Sequence, residues 1–405
     1  MTINIVDAGC GIGKTTALIN KMNEDENNQK YIFITPFLTE VNRIIESCPN
    51  KNFIAPQDKE GKINKLKDIT KLFEGGRNIV TTHALFKKLN NNIINLIREH
   101  EYILIMDEVA EVIEEMPISK SDLKILLDKY ISINPYDNVV EWIDDSYDGK
   151  FNEYMRTIKM NNVYAYMDND NNVVSLIWMF PYKILDAFKN IYILTYMFNG
   201  QIQKKYFDCF NVTYNNLYVK DFHLTSEKQI YDYSKQKALI NVCHKDKLNK
   251  IGERETSLSK SWFERNKKSK KIFILQNNIK NFFRSYSKVK SNELLWTTFK
   301  SYENIIKQKG FVSNFAPINC RATNRYINKR AIAYIGNRYF KPTIKNFFNI
   351  NGIEIDKNFE DEFALSELIQ FIYRSAIRNN KTIDVYIPSK RMRDLFLEWL
   401  KKPSD

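Results

Sequence analysis

The sequence predicts an α/β protein with largely parallel sheets, and three observations carry that prediction. Short apolar runs alternate with stretches of helical periodicity along most of the 405 residues, the pattern left by strands joined through crossover helices. A glycine-rich segment at residues 8–16 joins the first apolar run to the first helical pattern. A later apolar run, residues 102–106, ends in two adjacent carboxylates, Asp107 and Glu108. At this length two domains are expected, each burying its own core, with an insertion in the first.

Residues 3–7 (INIVD) form the first expected strand, and AGCGIGKTT follows directly at residues 8–16. Gly9, Gly11 and Gly13 give the backbone freedom to turn consecutive amides inward, which is how a loop cradles phosphate groups. Lys14 is placed to reach β- and γ-phosphates, Thr15 to hold Mg²⁺ through its hydroxyl, and Thr16 to continue the cradle. Ala17, Leu18 and Met22 set a helical period whose N-terminal dipole would face the anion. The sequence therefore predicts ATP and Mg²⁺ as cofactors.

Residues 31–35 (YIFIT) and 78–82 (NIVTT) read as buried strands. Each leaves hydroxyls at its carboxyl end, where ligands of open α/β sheets bind. Thr35, Pro36, Thr81 and Thr82 are thus candidate contacts to a phosphodiester chain, with helix capping as the competing use of the threonines. In the strand at 102–106, Asp107 would hold Mg²⁺, while Glu108 would orient a water or take its proton. Residues 109–113 continue with a helical look.

Residues 117–189 exceed what is needed to reach the next strand at 191–195, so they read as an insertion rich in acids and aromatics. Within it, residues 163–166 and 173–178 flank the turn-rich DNDNN of 168–172, an expected hairpin that serves packing or strand separation. The second half is expected to begin near Gln201, with strands at 271–275 and 294–298. Arg321, Thr323 and Asn324 are candidate backbone-phosphate contacts, although Arg321 equally suits an ion pair. Gln370, Arg374 and Arg378 fall at i, i+4 and i+8, a spacing that lines one helix face.

The formal net charge is +13, divided between about −6 for residues 1–200 and about +19 for residues 201–405, an asymmetry expected of a nucleic-acid partner. In the basic half, RNKKSKK at 265–271 precedes Phe282, Phe283, Tyr286 and Trp296, a mixture suited to phosphate neutralisation and base stacking. A solvated charged loop also explains the cluster alone. Five scattered cysteines without C-x-x-C spacing argue against a disulfide framework or zinc site. With neither a secretory leader nor a membrane-spanning run, the chain is expected in the cytoplasm, that of a bacterial host if it is phage-encoded.

The A-x-x-G-x-G-K-T of residues 8–15 and the Asp-Glu-Val-Ala of 107–110 resemble motifs I and II of the superfamily 2 DExx-box helicases, in particular compact phage-encoded DEAD/DEAH-box DNA helicases. Thr35-Pro36 resembles motif Ia and residues 81–85 resemble motif Ib. Thr195-Tyr196-Met197 stands where motif III has S/T-A-T. Residues 271–275 resemble motif IV, and 319–324 stand at motif V without its G-x-D. Residues 370–378 resemble motif VI, Q-x-x-G-R-x-x-R, with Tyr373 in place of glycine and the last arginine one residue late. No glutamine motif precedes Ile3.

This resemblance implies two RecA-like P-loop domains, residues 1–200 with an insertion at about 117–189, and residues 201–405. It implies ATP and Mg²⁺ in the cleft between them, with Gln370, Arg374 and Arg378 acting from the second domain and Arg374 as the finger. Single-stranded or forked DNA would cross both domains, with replication proteins as further partners. Two classes of function remain: a DNA helicase or translocase, and an ATP-regulated DNA-binding switch or replication recruitment factor that does not unwind. A small-molecule kinase shares the P-loop but explains neither the charge asymmetry nor the Asp107-Glu108 pair.

Overall fold

A computed structural model describes residues 2–57, 64–168, 170–318 and 325–402. The expected early strands are present as β1 (Thr2–Asp7), β2 (Tyr31–Thr35), β3 (Ile79–Thr82) and β4 (Ile103–Asp107). An inserted region then carries β5 (Ile113–Glu115), β6 (Ile131–Ile133), β7 (Val140–Trp142), β8 (Val163–Met167) and β9 (Val173–Met179). The chain returns to the first sheet through β10 (Asn190–Thr195), β11 (Tyr214–Lys220) and β12 (His223–Thr225).

Among the described residues the first sheet has seven strands in the order β12-β11-β1-β10-β4-β2-β3. Its pairings are parallel except for the β11–β12 hairpin at one edge. Asp7 lies opposite Thr195, and Leu194 opposite Asp107. This register brings the carboxyl ends of β1, β10 and β4 to one edge, where such sheets bind ligands. Helix α1 (Lys14–Glu24) leaves β1 across the glycine loop and buries Ala17, Leu18, Ile19 and Met22 against the sheet.

The first sheet does not stop at residue 200, because β11 and β12 belong to it. Their sequence gave little warning: in YNNLYVK only Val219 is buried, so no continuous apolar run marks the strand. A second sheet, parallel and four-stranded among the described residues, contains β13 (Ile240–Val242), β14 (Leu294–Thr297), β15 (Ala331–Tyr334) and β16 (Ile383–Tyr386), in the order β13-β16-β15-β14. The α/β class with largely parallel sheets is as expected.

Two local expectations fail for identifiable reasons. Residues 271–275 lie within a helix, Lys270–Asn281, capped by the Ser269 side chain, which accepts from the Lys271 amide. Ile272, Leu275 and Ile279 are buried while Phe273 and Ile274 are exposed, so the run follows a helical period rather than that of a buried strand. Residues 109–112 are irregular and lead into β5, with Val109, Ala110, Val112 and Ile113 all buried. Four buried apolar groups within five residues suit an extended path through the core better than one stripe of a helix.

In the insertion, β8 and β9 form the expected antiparallel hairpin, and β5 pairs with β9. A helix from the second half, Pro342–Ile350, packs on it, with Phe347 6.0 Å from the Tyr164 ring and Asn346 donating to Tyr166 Oη at 3.0 Å. Among the described residues no helix is long and apolar enough to cross a membrane.

Candidate nucleotide site

The glycine loop wraps the carboxyl end of β1. Gly11 and Gly13 both have φ of 91°, a region costly for residues with a β-carbon. Gly9 is needed for a different reason: a β-carbon there would collide with the Tyr233 ring, whose hydroxyl accepts from the Gly9 amide at 2.8 Å. Lys14 turns its ammonium back onto the loop, donating to the carbonyls of Ala8 and, at 3.0 Å, Gly9. The lysine is therefore held at the mouth of the cradle. Thr16 is exposed on the first turn of α1.

Strand β4 delivers Asp107 beside this loop, and Thr15 Oγ1 donates to Asp107 Oδ1 at 3.3 Å. A hydroxyl and a carboxylate in contact form a hard oxygen donor set of the kind Mg²⁺ takes. Burial pushes the Asp107 carboxyl up to about 6, and the neighbouring Glu108 charge adds to this, while Lys14 opposes it. Glu108 occupies the left-handed region, with φ of 72°, and its amide donates to Leu194 O at 2.9 Å. Such a backbone costs about 1–3 kcal/mol and persists only where its surroundings hold it. His83, just beyond β3, shares a hydrogen bond of 2.9 Å between Nε2 and the Asp107 carbonyl. It thereby fixes the end of β4.

Among the described residues, two segments connect this end of the first sheet with the second half. The loop after β10 carries Tyr196, whose hydroxyl accepts from Trp399 Nε1 at 3.0 Å, and Gln201, which donates to Ser366 Oγ at 3.1 Å. Tyr196 is buried in the core of the second sheet. The tyrosine that replaces the small residue of an S/T-A-T motif is thus a bridge between the two sheets. The other segment is residues 370–378. Helix Lys357–Ile372 ends before Arg374, Ser375 is extended, and Arg378 lies in a separate 3-10 turn, Ala376–Asn379. Gln370, Arg374 and Arg378 therefore do not share one helix face as the spacing predicted.

The charges of both arginines are nevertheless felt at the glycine loop. Burial raises the Cys10 thiol above its ordinary value; Lys14 opposes this, Glu108 adds to it, and Arg374 and Arg378 oppose it. Their charges are thus felt at Cys10, which also packs against the second core. Arg374 is buried, Gln370 is half-buried and Arg378 is exposed.

The expected nucleic-acid contacts fare unequally. Thr35 and Thr81 are buried at the ends of β2 and β3, which takes them out of direct reach of a polyphosphate chain in this conformation. Pro36 and Thr82 are half-buried, and Thr82 precedes a short helix without capping it through its side chain. Arg321, Thr323 and Asn324 lie outside the described residues. Phe282, Phe283 and Trp296 are core residues, so they are not available to stack on bases. The basic side chains of Arg265, Lys267, Lys268, Lys270 and Lys271 are exposed around the junction of two helices, Lys260–Asn266 and Lys270–Asn281.

Over 98% of its length the chain is 40% identical to the SPbeta prophage-derived uncharacterized protein YonV of Bacillus subtilis (strain 168), covering 98% of that protein. The chain belongs to the YonV family. Two YonV regions match separately: the YonV middle domain over residues 113–178, which spans β5 to β9, and the YonV C-terminal Rossmann-like domain over residues 234–400, which carries the second sheet. Among solved structures, an XPD helicase matches 98% of this YonV-family chain and 94% of its own, at a TM-score of 0.51 and 11% identity. The structure of S. tokodaii Xpd4 matches with a TM-score of 0.50 and 11% identity over 98% of this chain and 94% of that one. An apo XPD structure gives 0.51 and 12% over 98% and 95%. At these identities the likeness is one of fold: the two sheets of this YonV-family chain are arranged as in XPD helicases.

Proposed function

We propose that this chain is a nucleic-acid-dependent ATPase of the superfamily 2 helicase type, acting on DNA as a translocase or helicase. The observation that carries the reading is the convergence of Lys14, Thr15, Asp107 and Glu108 at adjoining strand ends, with the charges of Arg374 and Arg378 reaching the same loop from the second half. The XPD-like arrangement of the two sheets supports it.

In this account the loop amides and Lys14 bind the triphosphate, and Lys14 exchanges its contacts to Ala8 and Gly9 for phosphate oxygens. Thr15 and Asp107 hold Mg²⁺, which when bound neutralises developing charge on the phosphates. Glu108, held by its Leu194 contact, orients the attacking water and takes its proton. Arg374 and Arg378 are assigned the stabilising charge from the second half, and Gln370 a place beside them. The Tyr196–Trp399 and Gln201–Ser366 contacts transmit cleft closure between the sheets.

The partner class is single-stranded or forked DNA, met by the basic half through exposed lysines and arginines and by Pro36 and Thr82 from the first sheet. Arg321, Thr323 and Asn324 extend the same assignment. We place the junction between the two units after β12, between Thr225 and Ser234. The prophage origin of the relative fits a bacterial host cytoplasm, and a role alongside replication proteins is carried by the helicase resemblance alone. Steady-state ATP turnover with and without single-stranded DNA tests the reading. Stimulated turnover that weakens steeply with salt supports it, because counterions are released as phosphates are neutralised. ATP binding with no turnover in either condition would instead favour a DNA-binding switch that does not unwind.

A further inference from the structure

Strands β11 and β12 are joined by a two-residue turn, Asp221-Phe222, since Lys220 pairs directly with His223. Both turn residues are left-handed, with φ of 49° and 59°. Turns of this type favour Asn-Gly, and a bulky aromatic at positive φ is an outlier. The ring is not kept there to fill the core, for Phe222 is 54% exposed. Glycine would fit this turn with less strain.

The tip is anchored along one stripe of α1. The Phe222 ring rests on Gly13 so closely that a β-carbon there would strike it. Asn20 Nδ2 donates to Phe222 O at 3.0 Å, and His223 Nε2 lies 3.1 Å from Glu24 Oε1. Gly13, Asn20 and Glu24 follow one another at helical spacing, and exposed Thr16 falls on the same stripe between them. That stripe begins at the phosphate cradle and runs away from it. A nucleoside leaving phosphates in the cradle along this stripe would meet the exposed Phe222 ring.

We propose that Phe222 is the platform on which the purine base of the bound nucleoside triphosphate stacks. The inference rests on the nucleotide reading of residues 8–16. It accounts for the strained turn: the backbone holds an aromatic where glycine fits best because the ring serves a ligand.

The test compares full-length parent, Phe222→Gly and Phe222→Trp by calorimetric titration with two probes, Mg²⁺ with the β,γ-imido analogue of ATP, and Mg²⁺ with inorganic triphosphate. Stacking of one base is worth about 5- to 150-fold in affinity. Phe222→Gly is expected to lose that factor for the nucleotide, to bind inorganic triphosphate as the parent does, and to keep its Tm within about 2 °C of the parent. Phe222→Trp is expected to retain nucleotide affinity. Equal losses for both probes, or a falling Tm with them, would assign the ring to shaping the loop and overturn the proposal. Unchanged nucleotide affinity in Phe222→Gly would also overturn it. A parent chain that binds neither probe would overturn the nucleotide reading itself, and this inference with it.

Discussion

In the first half, Asp107 and Glu108 lie at the end of β4 and Lys14 and Thr15 open α1 across the glycine loop from β1, and the ladders β1–β10 and β10–β4 hold the two strand ends in register. In the second half, Arg374 lies where a helix stops and Arg378 in a separate turn, and their charges are felt at the same loop because the two halves pack together. The first group is placed by local geometry that each segment carries in its own sequence. The second is placed by an interface, so its position depends on contacts such as Tyr196 with Trp399. Nucleotide binding should therefore belong to the first sheet, and acceleration of turnover to the contact between the halves.

The largest effect is expected where that division is sharpest. Arg374→Lys and Arg378→Ala should leave ATP affinity within a few-fold of the parent while lowering DNA-stimulated turnover, Arg374→Lys by as much as the 10³–10⁵-fold that a finger arginine contributes in related phosphoryl transfer. Lysine keeps a charge at the buried position but lacks the planar fork. A loss of affinity equal to the loss of turnover in both variants would erase the proposed division.

A smaller effect of opposite sign is expected inside the first sheet. The carboxyl of Asp107 is raised from 3.8 to about 6, chiefly by burial. The folded chain thus holds this proton more tightly than the unfolded chain does. Its ionisation costs stability progressively as pH rises from about 4 to about 6, and the full cost applies above that. Asp107→Asn should therefore stabilise the ligand-free protein at pH 8 by about 1–3 kcal/mol and flatten the pH dependence of Tm. It should also weaken binding of the Mg²⁺-nucleotide. In the parent, that binding should weaken as pH falls through about 6. Destabilisation by Asp107→Asn at pH 8 would show that this carboxylate is held by the fold rather than for a cation.

The smallest effect probes the interface. Tyr196→Phe removes the acceptor for Trp399 Nε1 and should cost about 1 kcal/mol of stability. It should lower DNA stimulation without changing nucleotide affinity. If affinity changes and stimulation does not, Tyr196 serves the first sheet alone.

The same contrast explains what could be read from the sequence. The strand and helix flanking the glycine loop and the strand ending at Asp107 were legible because each is specified within a short segment. The spacing of Gln370, Arg374 and Arg378 misled because a helix period says nothing about where the helix ends, and here it ends before Arg374. The run at residues 271–275 misled because an apolar pentapeptide suits either a strand or a helix, and the buried positions alone decide. Phe282, Phe283 and Trp296 looked available for stacking, yet the core needed them. Phe222 and Tyr233 left no signal, since each meets the loop from more than 200 residues away in sequence.

The most direct test of the central claim is ATP binding and DNA-stimulated hydrolysis measured together on the parent and on Glu108→Gln. The amide keeps the shape of the side chain but cannot take a proton from water. Glu108→Gln should bind Mg²⁺-ATP as the parent does while stimulated turnover nearly disappears. Turnover in Glu108→Gln equal to that of the parent would contradict that claim.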